Sequence, residues 1–262
     1  DGKGEWINTS TYIFYPQPGL AGGSSYQVSI NPALTGTDGS PLESAVDWSF
    51  TTALPRLVSI LPTDGSILVR LDTSIQLNFS YSMDSASVEA NFTLESSDGA
   101  PVAGQYTWNE DFTTFTYTPT ALLQHNTTYV VVLGAEAAAL GGTPLGEQTR
   151  ASWSTVSDLS IYASDPAEGG TKPNYQSIYL YLTSIVSSTN LLDFISISPQ
   201  VSNLSAWMDE SQMAVYLYGD YVAETDYTLT VSPELTDLWG SALGQPYTLH
   251  FRTASLDPSI QF

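Results

Sequence analysis

Short runs in which apolar and polar residues alternate recur along the whole chain. They include IQLNF at 75–79 and IYLYL at 178–182, and residues of the turn-forming types Gly, Pro, Asn and Asp separate such runs. Alternation with a period of two predicts strands that bury one face. No segment sustains a 3.6-residue apolar period, and only SVEAN at 87–91 and ALLQH at 121–125 could form one helical turn each. The pattern therefore predicts an all-β protein.

The alternation also predicts which side chains face a core. On three strands in the middle of the chain the inward positions are Phe115, Tyr117, Tyr129, Val131, Leu133 and Trp153. The strand VYLY at 215–218 has two possible registers. Counting from Trp207 buries Tyr216, whereas burial of Val215 and Leu217 exposes Tyr216 and Tyr218. We favour the second register because it places branched apolar residues inside.

One strand pattern occurs three times, at intervals of roughly a hundred residues. Its copies are DWSFTT at 47–52, ASWSTV at 151–156 and LHFRTA at 249–254. A Tyr lies 24 residues before the aromatic residue of each copy: Tyr26 before Phe50, Tyr129 before Trp153 and Tyr227 before Phe251. Aligned on that Tyr, the copies share a glycine (Gly39, Gly142 and Gly240) and an upstream tryptophan (Trp6, Trp108 and Trp207). This agreement indicates a tandem repeat.

The earlier half of the repeat occurs only twice, beginning with LVSILPTDG at 57–65 and IYASDPAEG at 161–169. We therefore predict complete domains at 54–156 (the second repeat) and 157–256 (the third repeat). Residues 1–53 would be the C-terminal half of a first repeat, and 257–262 a linker to a following region. Half a sandwich exposes its inner face. We expect that face to pack on protein, either the neighbouring domain, a second copy or a separate chain, through Ile13, Tyr15, Val28 and Ile30.

Each complete repeat has about seven short strands punctuated by turns, which is the profile of an Ig-like Greek-key sandwich. The predicted fold is a tandem of such β-sandwiches, with the first one incomplete. The turn PTDG at 62–65, the pair Met83–Asp84 and TTY at 127–129 resemble the bacterial Ig-like domains of cell-surface and secreted proteins. The third repeat departs from that pattern, with SIVSS at 184–188 in place of the Met–Asp pair.

The segment at 4–30 resembles in particular the N-terminal region of bacterial alpha-2-macroglobulin-like proteins. These resemblances imply a structural or interaction module, a rigid spacer array of a bacterial surface or secreted protein. A macroglobulin-like protease inhibitor or an adhesin would be its host. Its partners would be other domains of the same parent protein.

Composition narrows the possible partners. The chain has 262 residues and 6 Lys plus Arg against 27 Asp plus Glu, a net charge of −21. Such a surface repels phosphate backbones, so we predict no nucleic-acid binding. The sequence has no apolar stretch of the roughly 18 residues that a membrane helix needs, and direct membrane insertion is not expected. The absence of Cys excludes disulfides and thiolate chemistry and favours a bacterial source.

Catalysis finds no support in the sequence. The chain has two histidines, and we interpret His125 as a solvated loop residue and His250 as a strand residue. The carboxylate pairs Glu110–Asp111 and Asp209–Glu210 lie at hairpin tips, where turn chemistry explains them. The acidic loop residues Asp220, Glu224 and Asp226 could bind calcium weakly, but a solvated loop is the favoured interpretation. We predict no enzyme activity, no catalytic residues, no metal site and no cofactor.

Aromatic residues supply the candidate binding site. Five tryptophans hold strand positions that recur between repeats, which favours core or hairpin packing: Trp6, Trp48, Trp108, Trp153 and Trp207. Trp239 lies instead in a loop. If Ile178 and Leu180 face inward, the neighbouring tyrosines face outward. The candidate residues for a glycan or protein ligand are therefore Tyr179, Tyr181, Tyr216, Tyr218 and Trp239. The alternative is that Tyr is simply a good strand former.

Overall fold

The structure is a computed structural model that describes residues 1–17 and 19–254. Residues 1–53 contain four strands: β1 (Gly2–Asn8), β2 (Thr11–Pro16), β3 (Ser25–Ile30) and β4 (Val46–Thr51). The second repeat follows: β5 (Leu57–Leu61), β6 (Ile75–Phe79), α1 (Ser85–Ala90), β7 (Phe92–Ser96), β8 (Gly104–Trp108), β9 (Thr114–Pro119), β10 (Thr128–Leu133) and β11 (Thr149–Ser154). The predicted linker at 257–262 lies outside the described residues.

The third repeat has eight described strands and a short 3-10 helix. They are β12 (Ile161–Asp165), β13 (Gly170–Pro173), β14 (Ile178–Leu182), the 3-10 helix Leu191–Phe194, β15 (Ile195–Ser198), β16 (Ser202–Asp209), β17 (Ala214–Asp220), β18 (Asp226–Val231) and β19 (Tyr247–Ala254). The fold is thus all-β, as predicted. No helix in the described part of the chain is long and apolar enough to cross a membrane.

Contacts between Cα atoms divide the chain into two compact units. The first comprises Asp1–Ser66, Asp72–Leu122 and Thr128–Trp153. The second comprises Ile67–Leu71, Leu123–Thr127 and the residues from Ser154 onward. The short segments at 67–71 and 123–127 therefore group with the third repeat, although they lie within the second repeat in sequence.

In the second repeat, a four-stranded antiparallel sheet has the order β5-β6-β9-β8, and a three-stranded sheet has the order β11-β10-β7. Rings from the two sheets meet in the core, where Phe92 on β7 lies 4.9 Å between centroids from both Phe115 and Tyr117 on β9. The side chains predicted to face inward are buried: Phe115, Tyr117, Tyr129, Val131, Leu133 and Trp153. The alternation of apolar residues was sufficient to predict them.

The second unit contains the sheets β12-β14-β17-β16 and β13-β19-β18-β15. Its pairings are antiparallel except for the parallel pair β13–β19. The core between the sheets is apolar and includes Leu180, Leu217, Leu229, Val231 and Leu249. The described residues of both complete repeats therefore form Ig-like sandwiches.

Two local predictions can be compared with the backbone. SVEAN lies in α1, whose N-cap is Asp84, and the Asp84 carboxylate accepts a hydrogen bond from the Ser87 N–H at 3.1 Å. ALLQH forms no helical turn, because Leu123 is buried and its N–H bonds to Leu71 O at 2.9 Å.

The glycines shared by the three repeats, Gly39, Gly142 and Gly240, have φ of 82°, 89° and 96°, a conformation that L side chains rarely adopt.

Residues 1–53 form two separate hairpins, β1-β2 and β3-β4. The β1-β2 register matches β8-β9 of the second repeat. Trp6 pairs with Tyr12, Gly4 with Phe14 and Gly2 with Pro16, as Trp108 pairs with Phe115, Tyr106 with Tyr117 and Gly104 with Pro119. Tyr12 and Phe14 thus correspond to the buried Phe115 and Tyr117.

The prediction of the inner face of 1–53 was wrong for β2. Ile13 pairs with Glu5 and Tyr15 with Lys3, so both lie on the face opposite Tyr12 and Phe14, and the Tyr15 hydroxyl donates to Glu5 Oε1 at 3.1 Å. Val28 and Ile30 line the inner side and are half-buried. The expected cover is missing from the described chain, since Tyr12 and Phe14 are 53% and 55% exposed.

The prediction of core or hairpin packing holds for four of the five tryptophans, since Trp153 is buried and the other three contact a ring on the partner strand of their hairpin: Trp6, Trp108 and Trp207. Trp153 is buried and Trp108 half-buried, but Trp6, Trp48 and Trp207 are exposed. Trp6 and Trp48 belong to the open half-sandwich. Trp207 is exposed for a different reason: Val215 pairs with Met208 as Phe115 pairs with Trp108. Met208, rather than Trp207, corresponds to Trp108. Adjacent residues of a strand point to opposite faces, so Trp207 points outward.

Candidate functional site

The candidate site lies on the outer face of the sheet β12-β14-β17-β16. Along β14, Ile178, Leu180 and Leu182 are buried, which turns Tyr179 and Tyr181 outward. Along β17, Val215 and Leu217 are buried, while Tyr216 is half-exposed and Tyr218 exposed. The register favoured from the sequence is therefore confirmed for both strands.

Five rings on this face contact one another in a chain that crosses all four strands. Trp207 stacks on Tyr216 with centroids 5.3 Å apart, and Tyr216 meets Tyr179 edge-on at 4.6 Å. Tyr179 stacks with Tyr181 at 6.5 Å, and Tyr181 lies 6.3 Å from Tyr162. We call Tyr162, Tyr179, Tyr181, Trp207 and Tyr216 the aromatic face. Such ring pairs stabilise each other beyond the area they bury.

A buried lysine supports the middle of the aromatic face. Lys172 on β13 has its Nζ 4.3 Å from the centre of the Tyr179 ring and 2.7 Å from Asp165 Oδ2. This geometry combines a cation–π contact with an ion pair and holds Tyr179 in place. Burial, together with the charge of Asp209, raises the pKa of the Tyr216 hydroxyl. Like an ordinary tyrosine hydroxyl, it is protonated at neutral pH and can donate a hydrogen bond.

The structure brings together three of the five predicted site residues, namely Tyr179, Tyr181 and Tyr216. Tyr218 occupies the next outward position on β17 without belonging to the ring chain. Trp239 lies apart, in the loop after β18, where its ring is 5.5 Å from the Arg70 guanidinium and 6.2 Å from the His125 ring.

Two members of the aromatic face, Trp207 and Tyr162, were missed. Core or hairpin packing is the prediction for Trp207, which packs across its hairpin on Tyr216 but on the outer face of the sheet. Tyr162 lies at an irregularity in the β12-β14 pairing, between Ile161 and Ala163. Bulges of this kind displace side chains from simple alternation. Counting partners outward from β14 would have found both residues.

A buried polar cluster in the second unit was also missed. His125 Nε2 and the Ser184 hydroxyl each lie 2.7 Å from Asp237 Oδ2, while the N–H groups of Trp239 and Ser241 donate to Asp237 Oδ1. Burial raises the pKa of Asp237, but these hydrogen bonds outweigh burial and hold that pKa below its ordinary value. The interpretation of His125 as a solvated loop residue was wrong.

This cluster contains the residue types of a serine-hydrolase triad in an order that does not serve catalysis. In a triad the histidine lies between the serine and the carboxylate and takes the serine proton. Here the Ser184 hydroxyl donates directly to Asp237, and Ser184 is 0% exposed. The cluster is a structural anchor for the segment Leu123–Thr127, which belongs to the same unit.

Two of the three acidic residues that could have bound calcium, Asp220 and Asp226, have other partners. Asp220 accepts a hydrogen bond from Asn203 at 2.6 Å, and Asp226 pairs with Arg252 at 2.7 Å. No group of three or more metal-ligating side chains is assembled within residues 1–17 and 19–254. At the hairpin tip, Asp209 accepts from Ser211 N–H as turn chemistry predicts, while Glu210 pairs with Arg70 at 2.9 Å.

Comparison with protein families gives two adjoining matches to the bacterial Ig-like domain, at residues 53–155 and 156–253. Together they cover more than half of the chain. The chain belongs to the bacterial Ig-like domain family. The match agrees with the resemblance carried by PTDG, Met83–Asp84 and TTY, and it extends to the third repeat, where SIVSS replaces the Met–Asp pair. A search of curated proteins found no significant match.

Solved structures similar to this Ig-like chain share little sequence with it. The methionine-rich copper resistance protein PcoC from Escherichia coli is 23% identical over 39% of this chain and 99% of its own, with a TM-score of 0.32. An L,D-transpeptidase from Mycobacterium smegmatis is 12% identical over 58% and 64%, with a TM-score of 0.30. The N-terminal part of the bacterial S-layer protein SbsC is 13% identical over 76% and 44%, with a TM-score of 0.32.

Proposed function

We propose that the chain is a non-catalytic structural and adhesive module of a bacterial surface or secreted protein, and that the aromatic face is its binding surface. Each sandwich supplies a scaffold of paired strands. The family match supports the Ig-like module, and nothing in it supports a macroglobulin-like host.

One observation carries the proposal. The two complete repeats place their outer-face residues in the same strand register but fill those positions differently. Trp207, Tyr216, Tyr179 and Tyr181 stand where the second repeat has Thr107, Thr116, Gln76 and Asn78. The polar set shows that the fold does not need aromatic residues there. A contiguous exposed aromatic patch on a sandwich is therefore best explained by contact with a ligand.

The ring geometry favours a glycan as the ligand. The Tyr216 ring stacks on Trp207 and makes an edge-on contact with Tyr179, so it has a ring neighbour on each adjacent strand. Trp207 and Tyr162 lie on the two edge strands and are 42% and 65% exposed. The two edge strands are three spacings apart in the sheet, roughly 14 Å at about 4.8 Å per spacing. An extended oligosaccharide can stack on both rings and receive hydrogen bonds from the tyrosine hydroxyls between them.

The experiment compares two proteins on an array of immobilised bacterial and host polysaccharides. One is the intact chain, and the other carries the second-repeat residues on the aromatic face: Trp207→Thr, Tyr216→Thr, Tyr179→Gln and Tyr181→Asn. We expect the intact chain to bind a subset of the polysaccharides and the variant to lose at least tenfold in affinity. Tyr218→Thr, outside the ring chain, is the matched control and should bind like the intact chain.

Two results would overturn the proposal. One is polysaccharide binding that the fourfold variant keeps, which would place the contact elsewhere. The other is the absence of binding to any polysaccharide by an intact chain shown by circular dichroism to be folded. The module would then be a spacer only, and the aromatic face would serve the stability of the third repeat.

A further inference from the structure

The charged residues in the strands that carry the aromatic face are all acidic. The four strands β12, β14, β16 and β17, as the structure describes them, contain no lysine or arginine, and they contain three aspartates: Asp165, Asp209 and Asp220. Alternation from Trp207 and Tyr216, and the pairing of Asp165 with Tyr179, turn all three aspartates outward. The aromatic face is therefore bordered by carboxylates, which repel an anionic ligand.

Two of these carboxylates have partners that limit their part in binding. The buried ammonium group of Lys172 lies 2.7 Å from Asp165 Oδ2 and neutralises that carboxylate. Asp220 accepts a hydrogen bond from the Asn203 side chain at 2.6 Å, and it lies at the end of β17, four residues beyond Tyr216. Asp209 is thus the carboxylate whose charge is left beside the aromatic face.

The partners of Asp209 among the described residues are all neutral. Its Oδ1 accepts hydrogen bonds from the N–H and the hydroxyl of Ser211, at 2.9 and 2.6 Å, and from the Gln212 N–H at 3.3 Å. These bonds, with the Ser211 hydroxyl first, lower the pKa of the Asp209 carboxyl, so it stays ionised at mildly acidic pH. The neighbouring Glu210 differs, because it pairs with Arg70.

Asp209 lies within reach of a ligand that stacks on the exposed end of the ring chain. It follows Trp207 by two residues on β16, so the two side chains leave the same face of the sheet about 7 Å apart along the strand. Its charge also acts on the next ring of the chain, because burial first and Asp209 second raise the pKa of the Tyr216 hydroxyl. A positive group on a bound ligand would meet both the Trp207 ring and this carboxylate.

The second repeat shows that the hairpin does not require a carboxylate at this position. In the register that the two hairpins share, Asp209 corresponds to Asn109. Asn109 Oδ1 accepts hydrogen bonds from the N–H groups of Thr113 and Thr114, each at 2.9 Å. A neutral amide oxygen therefore serves the turn of the second repeat. The turn does not explain the negative charge at Asp209.

We propose that the ligand of the aromatic face is a glycan that carries free amino groups, and that Asp209 binds an ammonium group of the sugar stacked on Trp207. The inference rests on the proposed function, because it names the class of glycan for the same site. The Trp207 ring contributes as well, since an aromatic ring attracts a cation near its face. An acidic polysaccharide would instead bring like charges together, which opposes binding.

The experiment compares an oligomer of glucosamine with the glucose oligomer of the same length and linkage, by calorimetric titration at mildly acidic pH. The two differ only in bearing an ammonium group or a hydroxyl on each sugar. We expect the intact chain to prefer the glucosamine oligomer, and the preference to shrink as salt is added. Asp209→Asn, which introduces the second-repeat residue, should lower the preference about threefold to fivefold, as one exposed ion pair allows, and leave glucose-oligomer binding unchanged.

Asp111→Asn is the matched control, because it removes one negative charge at the hairpin tip of the second repeat and changes the net charge of the chain equally. It should keep the preference of the intact chain. An equal loss of preference in both variants would overturn the inference, since net charge alone would then explain the attraction. Equal affinity of the intact chain for the two oligomers, or binding of neither by the folded chain, would overturn it as well.

Trp207→Thr distinguishes failure of this inference from failure of the proposed function. We expect it to weaken binding of both oligomers at least tenfold. If it does so while Asp209→Asn keeps the full preference, the aromatic face remains the binding surface and only the role of the ammonium group is overturned. If Trp207→Thr binds both oligomers like the intact chain, the contact lies elsewhere, and the inference and the proposed function are both overturned.

Discussion

The two four-stranded sheets have the same strand pairing, but their outer faces carry different side chains, polar in the second repeat and aromatic in the third. In the second repeat, Asn78 organises a polar ladder: it accepts hydrogen bonds from Gln76 at 3.1 Å and Thr114 at 3.0 Å, and it donates to Ser59 at 2.9 Å. In the third repeat, the position of Asn78 is held by Tyr181, which belongs to the aromatic face.

The inner faces of the same two sheets are alike. Ile75, Leu77, Ile178 and Leu180 are all buried at corresponding positions. The sandwich therefore dictates what lies inside, whereas the outer face is free to vary. A difference confined to that free surface is informative about function, because the fold alone does not explain it.

The largest loss of stability should come from substitutions in the buried interior that the two repeats have in common. Leu77→Ala and Leu180→Ala each remove buried methyl groups and leave a cavity, which should cost about 2–5 kcal/mol in the free energy of unfolding. Urea titration of the intact chain measures the loss as a shift in the transition of the repeat that carries the substitution. The two costs should be similar. A much smaller cost for one of them would mean that the two interiors are not equivalent.

The next largest loss of stability should come from replacing the outer-face residues of the third repeat by those of the second. The fourfold replacement of the aromatic face by second-repeat residues removes four ring contacts, each worth about 0.5–1.5 kcal/mol. Because the face is solvent-exposed, we expect a total loss of about 1–3 kcal/mol with the fold retained, measured by thermal unfolding and circular dichroism. Unfolding of the third repeat would show instead that the aromatic face is a structural requirement.

The sequence was sufficient to predict the fold and the inward residues of the two complete repeats, because alternation and the repeat are properties of consecutive residues. Leu180 and Leu217 needed no knowledge of partners. The face of the sheet on which Trp207 lies could not be predicted, since it depends on the length of the hairpin that joins Trp207 to Tyr216. A separation counted from a distant Tyr cannot reveal such a shift.

The polar cluster could not be predicted for a related reason. His125 and Asp237 are 112 positions apart, and neither stands in a motif that pairs a histidine with an acid. In the second repeat the position of Asp237 is held by a buried alanine, Ala139. A buried carboxylate requires partners from distant segments, and only the folded chain shows which segments meet. The outward tyrosines were predictable, but their contacts with Tyr162 and Trp207 were not.

The third prediction concerns Asp237, whose ionisation should make the stability of the third repeat depend on pH. Its folded-state pKa lies below 3.8, the ordinary value, so its ionised form stabilises the native state above that pH. The contribution should be lost as pH falls below 3.8 towards the folded-state pKa. Asp237→Asn should lower stability at pH 7 by about 1–2 kcal/mol, and by less at pH 3, in thermal unfolding at both pH values.

Two variants control for this result. Ala139→Ser alters the corresponding position of the second repeat without adding a carboxylate, so any loss it causes should be the same at both pH values. His125→Gln keeps a polar group near Asp237 and should fall between wild type and Asp237→Asn at pH 7. An Asp237→Asn loss that is equal at pH 7 and pH 3 would contradict the role of the ionised carboxylate.

The smallest effect should come from the polar ladder itself. Asn78→Ala removes three hydrogen bonds, but the groups left behind lie near solvent and can bind water, so the cost should stay below about 1 kcal/mol. Tyr181→Ala, at the corresponding position of the third repeat, removes ring contacts with Tyr179 and Tyr162 and should cost about the same in thermal unfolding. The two variants should therefore differ in binding alone: Tyr181→Ala should weaken polysaccharide binding several-fold, and Asn78→Ala should leave it unchanged. Equal polysaccharide binding by both variants would show that the difference between the two outer faces is unrelated to binding.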